Sequence, residues 1–311
     1  MKVVITGGAG FLGRLLAERI GSLPGLQGPR GLEPIEEIVR FDVAGDGVVV
    51  GDIIDPAAVR SVVSGPAVSV FHLASVVSGE GERDFDLAYR VNVDGLLNLI
   101  RACREVAPVP RFVFTSSIAV FGGAEPVVGD DTKHSSETSY GVTKSIGEGI
   151  VNDASRKGFI DGRTARLPHV IIRPGPPNAA ASGFASAVFR EPLAGRDYEL
   201  PVSLGTVMPV TGVRAVIDAL VALHEVDPAR LGRDRAFGLP ALPVTVEQMV
   251  ETLRRHRGAG SVTLAPDPFV QAIVDRWPKS VDGRRARSLG ITGSGSLDAI
   301  VDEYLEDFGG G

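Results

Sequence analysis

The sequence predicts an α/β protein: a doubly wound, mainly parallel sheet with helices on both faces, accompanied by a smaller α/β cap. Three observations carry this prediction. A β-branched run, a glycine loop and a helical stretch open the chain. Strand-like apolar runs then alternate with helical stretches up to about residue 167. Finally, 311 residues with 44% hydrophobic and 23% charged content suffice for one large core and part of a second.

Taken in order, Lys2-Val3-Val4-Ile5-Thr6 reads as a buried strand, Gly7-Gly8-Ala9-Gly10 as a tight turn, and Arg14 to Ile20 as a helix with apolar positions one turn apart. The first turn of such a helix presents unpaired N–H groups and a positive dipole end, and glycine lets a pyrophosphate approach the backbone. The Gly-x-x-Gly-x-x-Gly spacing of Gly7, Gly10 and Gly13 therefore predicts a phosphate cradle at the head of a Rossmann-type unit. After a loop rich in Gly and Pro, Glu37 to Val43 reads as a second strand. Asp42 ends it, where a carboxylate accepts bonds from ribose hydroxyls and repels a 2′-phosphate, selecting NAD over NADP. Turn capping is the alternative role for Asp42, and Arg40 nearby keeps NADP open.

Val48 to Val50 gives a third strand, with Asp52 and Ile53 placed to meet an adenine edge and face, and Pro56 to Val63 a short helix. Val68 to Ser75 is an almost wholly apolar fourth strand, as expected for a parallel strand covered on both faces. Its end, Leu73-Ala74-Ser75, falls where open α/β sheets bind ligands, while His72 reads as a core imidazole. A polar loop containing Ser78 leads to a long helix from about Asp84 to Val106, in which Asn92 has a local, architectural role. Arg111 to Ser117 is a fifth strand ending in hydroxyls, and a helix headed by Ser139-Tyr140-Gly141-Val142-Thr143-Lys144 follows.

Tyr140 and Lys144 are four residues apart and share a helical face. A tyrosine of pKa near 10 is a poor base unless a neighbouring cation favours its phenolate, and Lys144 is placed to supply that charge. Tyr140 could then take the proton of a substrate hydroxyl while a hydride leaves the same carbon, with Ser117 holding the oxygen. Gly162 to Pro168 reads as a sixth strand, and Pro168 and His169 fall near the expected nicotinamide.

The block Thr6 to Gly13, the Ser-tipped strand and the Tyr-x-x-x-Lys helix together resemble the extended short-chain dehydrogenase/reductase superfamily. That resemblance adds Phe11, Leu12, Asn92 and Ser116 to the cofactor contacts, Asn92 matching an asparagine of the superfamily, and puts Ser117 at the catalytic place with Ser116 beside it. His72 to Arg83, Ser116 to Gly123 and Arg173 to Phe184, with Arg190 to Gly195, look like the D-erythronate dehydrogenase group. Such a resemblance implies NAD-dependent oxidation of the C2 hydroxyl of a four-carbon sugar acid, and a homodimer built through the helices starting near Asp84 and Tyr140. An aldonate needs cationic or amide partners for its carboxylate, for which Asn178, Ser78, Arg214 and Arg173 are candidates, with solvent exposure the alternative for the arginines. The dinucleotide domain is expected over 1–174 and 207–241, and a discontinuous substrate cap over 175–206 and 242–311.

Composition narrows the rest. A net charge of -6 without a basic stripe argues against a nucleic-acid partner. One cysteine, Cys103, and five scattered histidines argue against disulfides and a metal site. With no leader and no membrane-length apolar run, a cytoplasmic location is expected. Rival readings are a nucleotide-sugar epimerase or dehydratase, an L-threonine dehydrogenase-like oxidoreductase, and a non-catalytic dinucleotide sensor.

Overall fold

The computed structural model describes residues 1–123, 125–175, 181–256 and 259–309. Backbone packing divides the chain into two compact units. The first comprises Met1–Val120, Thr138–Arg166 and Ile217–Phe237, the second Phe121–Glu137, Leu167–Val216 and Gly238–Gly311.

Around the first unit runs a seven-stranded sheet in the order Val49–Val50, Glu37–Asp42, Lys2–Thr6, Val68–His72, Arg111–Ser117, Asp161–Leu167, Ala236–Gly238. The ladders from Val49–Val50 across to Arg111–Ser117 are all parallel. The chain starts in the middle, winds to one edge, and returns to the other side of Lys2–Thr6 at Val68–His72. That reversal puts a crevice beyond Thr6 and His72, at the carboxyl ends of the central strands. Every residue of Val68–His72 is buried, which is why its sequence shows no polar alternation. Val4, Val70 and Phe112 from the strands pack with Val59, Leu99 and Val151 from the helices in one core. Cys103 belongs to it, and burial pushes its thiol up to about 12.

Two local features differ from expectation. The Gly/Pro-rich loop contains a small antiparallel hairpin, Leu26–Gly28 with Gly31–Glu33. The long helix runs from Phe85–Tyr89 through a π-helical turn, Arg90–Asp94, into Gly95–Cys103. Asn92 sits in that turn, a feature that often marks functional sites.

In the second unit, His169–Ile171, Val207–Gly212 and Leu242–Thr245 form a three-stranded sheet, the first pair parallel and the second antiparallel. Val207–Gly212 was expected to return the chain to the dinucleotide domain. It is instead the central strand of a sheet in the second unit, its backbone paired with His169–Ile171 on one edge and Leu242–Thr245 on the other, while Met208 and Val210 are fully buried in that unit's core. Tyr198–Leu200 pairs with Val262–Leu264, and Val127–Val128 with Ser280–Val281. Segments 121–137 and 167–174 likewise group with this unit rather than with the sheet of the first. Ile172, Phe189, Val210, Met249 and Ile300 fill its core. Among the described residues no helix is long and apolar enough to cross a membrane.

Candidate active site

At the end of strand Lys2–Thr6 the chain turns through Gly7 with φ +70, where a Cβ would stand 2.7 Å from the Ala74 amide nitrogen. Gly10 donates its N–H to the Gly7 carbonyl at 3.0 Å and caps helix Phe11–Gly21 without any side-chain cap bond. A glycine turn leading straight into a helix N-terminus, with no side chain over its first turn, is the local architecture of an anion cradle. Gly13 is buried against the Gly7 carbonyl and the Gly8 Cα, leaving no room for a side chain. Gly8, which sequence reasoning gave no role, is equally constrained, since a Cβ there would meet Arg40 Cβ at 2.6 Å. Phe11 and Leu12, half-buried, begin the helix.

Asp42 braces this loop. Its carboxylate accepts from the Ala9 amide at 3.0 Å and from the Val43 amide at 2.8 Å. Arg40 spends its guanidinium on the carbonyls of Gly8, Asp46 and Gly47, the last at 2.8 Å. Asp52 is exposed and accepts from the Ile54 amide, whereas Ile53 is a core residue, 4% exposed and packed on Gly95, rather than an open apolar face.

The neighbouring strand ends contribute the next layer. Thr6 Oγ1 lies 2.7 Å from His72 Nδ1 and accepts from the Ala74 amide at 3.3 Å. His72 was read as a satisfied core imidazole. Only its Nδ1 is satisfied, because the buried Nε2 has no hydrogen-bond partner. Burial, with Lys144 adding to it, pushes its pKa down to about 3, so it is neutral. Leu73, Ala74 and Ser75 are half-buried on the same edge. Asn92 accepts from the Val76 amide at 2.8 Å and from the Ser75 hydroxyl, and donates to the Val76 carbonyl and Thr143 Oγ1 at 3.0 Å. It thereby ties the Ser75–Val76 loop to helix Ser139–Arg156, the architectural role expected of it. Ser78, half-buried, starts the short helix Ser78–Arg83.

Strand Arg111–Ser117 and helix Ser139–Arg156 bring the proposed chemistry together. Thr138 caps the helix by accepting from the Gly141 amide at 3.1 Å, which fixes Tyr140 in its first turn. The Ser117 hydroxyl accepts from the Ala119 amide at 3.1 Å and stands close enough to the Tyr140 phenol to favour its ionised form. Lys144 Nζ donates to the Thr115 carbonyl at 2.8 Å and stands 4.9 Å from the Phe114 ring centroid and 5.6 Å from that of Tyr140. Burial raises the phenol above its ordinary value, with the Ser117 hydroxyl opposing. Burial also drives Lys144 down to about 7, with the Glu148 carboxylate pulling it back up. The expected downward tuning of Tyr140 is thus not achieved by these side chains alone.

Ser116 turns away from Ser117, as alternate strand residues do. Its hydroxyl donates to Glu148 Oε1 at 2.6 Å, and Arg166 grips the same carboxylate at 2.7 Å, all three buried. The Ser116 hydroxyl is thus engaged with this ion pair, which sequence reasoning missed. The four-residue step from Lys144 to Glu148 was the signal available for it.

In the second unit, Pro168 is buried and His169 meets Trp277 in a tilted ring contact with centroids 4.8 Å apart. Burial lowers the His169 pKa to about 4. The Arg173 amide donates to Ser186 Oγ at 3.1 Å and its carbonyl accepts from Arg190, so its backbone is pinned. Arg214 is held by Asp307 and by Glu306 at 2.8 Å, pairings that occupy the guanidinium expected to meet a substrate carboxylate. Asn178 lies outside the described residues. Among the described residues no cluster of three or more His, Cys, Asp or Glu side chains could hold a metal.

Comparison with known proteins gives a consistent picture. The pattern of the NAD dependent epimerase/dehydratase family matches residues 3–233. D-erythronate dehydrogenase of Cupriavidus necator is 44% identical over 327 residues, covering 99% of each chain. The enzyme of the same name from Haemophilus influenzae is 33% identical over 319 residues, covering 98% of this chain and 99% of that one. A crystal structure described as the nucleoside-diphosphate-sugar epimerase from Agrobacterium tumefaciens superposes with a TM-score of 0.91 at 35% identity, covering 100% of this chain and 95% of the other.

Proposed function

This chain belongs to the NAD dependent epimerase/dehydratase family, and from that premise we propose that it is an NAD-dependent dehydrogenase oxidising the C2 hydroxyl of D-erythronate to the 2-keto acid. The observation that carries the reading is the meeting of Ser117, Tyr140 and Lys144 at one strand end, two strands from the uncapped glycine loop in the same parallel sheet.

The residues present fit a nicotinamide dinucleotide. Gly7, Gly10 and Gly13 form a cradle that a Cβ would fill, and the first-turn amides would hold the pyrophosphate. Asp42 would accept the adenosine ribose hydroxyls, and Arg40, spent on backbone carbonyls, offers little to a 2′-phosphate, which supports NAD over NADP. When bound, the oxidised nicotinamide accepts the hydride from C2 and adds a positive charge beside the phenol. Ser117 Oγ fixes the substrate oxygen, and Tyr140 Oη takes its proton as the C2–H bond breaks. Lys144, anchored on the Thr115 carbonyl, stabilises the phenolate. We assign the dinucleotide to the first unit, and name Ser78, Arg173 and Asn178 as candidate partners of the substrate carboxylate. We also place the enzyme in the cytoplasm as a homodimer through the helices starting near Asp84 and Tyr140, on the family resemblance.

Incubation with D-erythronate and NAD should accumulate reduced dinucleotide. Conversion of a nucleotide sugar with no net reduction would instead mark an epimerase, the activity named for the Agrobacterium structure. Tyr140→Phe should lower turnover by about 10²–10⁴-fold while leaving dinucleotide affinity little changed. Full turnover in that variant rules out Tyr140 as the base.

A further inference from the structure

Helix Ser139–Arg156 presents a row of three polar side chains at four-residue steps, Tyr140, Lys144 and Glu148, and the end of strand Arg111–Ser117 holds two of them directly. The Thr115 carbonyl accepts from the ammonium at 2.8 Å, the Ser116 hydroxyl donates to the Glu148 carboxylate at 2.6 Å, and the Ser117 hydroxyl stands near the phenol. We propose that Glu148, locked in place by Arg166, is a positioning residue of the reaction, the anion that keeps Lys144 charged and so lets Tyr140 surrender its proton. The inference rests on reading Tyr140 as the base.

Several observations converge on this role. Residues four apart lie one above the other on a helix, so Glu148 sits one turn beyond Lys144 on the face that meets the strand. Both partners of the Glu148–Arg166 pair are nearly inaccessible, with side chains 4% and 3% exposed. A buried ion pair is weak support for stability, since well-packed apolar residues of similar volume often do as well, so its presence one turn from a catalytic lysine calls for another explanation. Surrounding groups leave that task to Glu148. On the strand side Lys144 meets a neutral carbonyl and the Phe114 ring. From the strand beyond, His72 is neutral because its pKa is held near 3. Tyr140 gains from a cation but does not anchor one while protonated. Arg166 faces the carboxylate from strand Asp161–Leu167, and it orients Glu148 through bonds from Nε at 3.0 and 3.1 Å. Burial drives the ammonium towards neutrality, and Glu148 opposes it, the balance of the two standing at about 7.

The test compares Glu148→Gln, Glu148→Asp and the paired variant E148Q/R166Q with the parent chain. The paired variant removes the anion without stranding a buried guanidinium, so it serves if the single change fails to fold. The first readout is the near-ultraviolet phenolate absorbance of the dinucleotide-free protein, with the Tyr140→Phe spectrum subtracted to isolate this residue among four tyrosines. Loss of the anion should weaken Tyr140 ionisation by about tenfold or more, an upward displacement of at least one pH unit. The rising limb of kcat/KM for D-erythronate oxidation should move the same way, and Glu148→Asp should restore most of both. A merely structural role would lower activity at every pH without moving either titration, and an unmoved Tyr140 titration in a folded variant overturns the proposal. If Tyr140→Phe keeps its turnover, the base assignment has failed; if that variant is inactive and the titration is unmoved, only the role of Glu148 has.

Discussion

Lys144→Met is expected to make the protein more stable at neutral pH while abolishing turnover. Lys144 is 3% exposed, and burial lowers its pKa from the ordinary 10.5 to about 7. At 1.36 kcal/mol per pH unit, holding the charged ammonium in the fold costs about 5 kcal/mol. The sign follows from proton counting: between pH 7 and 10.5 the unfolded chain still binds the proton and the folded chain has lost it, so stability rises with pH across that window. Methionine fills a similar volume and carries no charge, but it leaves the Thr115 carbonyl without its donor, an offset of about 1–3 kcal/mol. Urea unfolding of both proteins at about pH 6 and pH 9 separates these effects, because the hydrogen-bond offset does not vary with pH. The advantage of the variant should shrink by about 2.5 kcal/mol between the two pH values. Parallel stability curves would show that Lys144 titrates as an ordinary lysine, and the electrostatic account of the catalytic row would be withdrawn.

Two further outcomes concern the dinucleotide cradle. Gly13→Ala places a Cβ against the Gly7 carbonyl and 2.9 Å from the Gly8 Cα, backbone atoms that cannot yield without moving the loop. It should cost about 1–3 kcal/mol of stability and weaken NAD binding at least tenfold by calorimetry, and unchanged affinity would mean the loop does not hold the pyrophosphate. Asp42→Ala removes the carboxylate proposed to repel a 2′-phosphate, so the NADP to NAD ratio of kcat/KM should rise about tenfold or more, at some loss of loop order from the freed Ala9 and Val43 amides. A ratio that does not move would assign Asp42 to loop bracing alone.

Sequence reasoning reached what local pattern encodes. The glycine loop, the wholly buried strand Val68–His72 and the Tyr140–Lys144 step are each written within a few consecutive residues. Elements fixed by distant partners were not legible. Val207–Gly212 reads like any apolar strand, and only its pairing with His169–Ile171 and Leu242–Thr245 places it in the second unit. Arg214 looked free for an anion because its acidic partners, Glu306 and Asp307, follow it by more than ninety positions. Ile53 looked available to an adenine because nothing local shows that Gly95 leaves a hollow for its side chain. Ser116 and Glu148 form an intermediate case. The two-residue alternation of a strand and the four-residue step of a helix each gave half of their contact, but their meeting depends on tertiary packing.

Burial explains why the catalytic row depends so strongly on its neighbours. An exposed lysine near 10.5 is charged throughout the working range, whatever stands beside it. One driven to about 7 is held near its midpoint, where a single neighbouring charge decides its state. The same low-polarity surroundings silence His72, which stacks on Phe114 with centroids 5.5 Å apart while Lys144 Nζ stands 4.9 Å from the same ring. Had that imidazole kept its ordinary value of 6.5, protonation in mildly acidic solution would set a second cation near the ammonium and drive it further towards neutrality. With His72 held near 3, the charge of Lys144 answers to Glu148 and to Tyr140 over the whole range in which the reaction is expected to run. Replacing His72 by an apolar ring should therefore leave the pH limb of turnover unmoved, in contrast to Glu148→Gln.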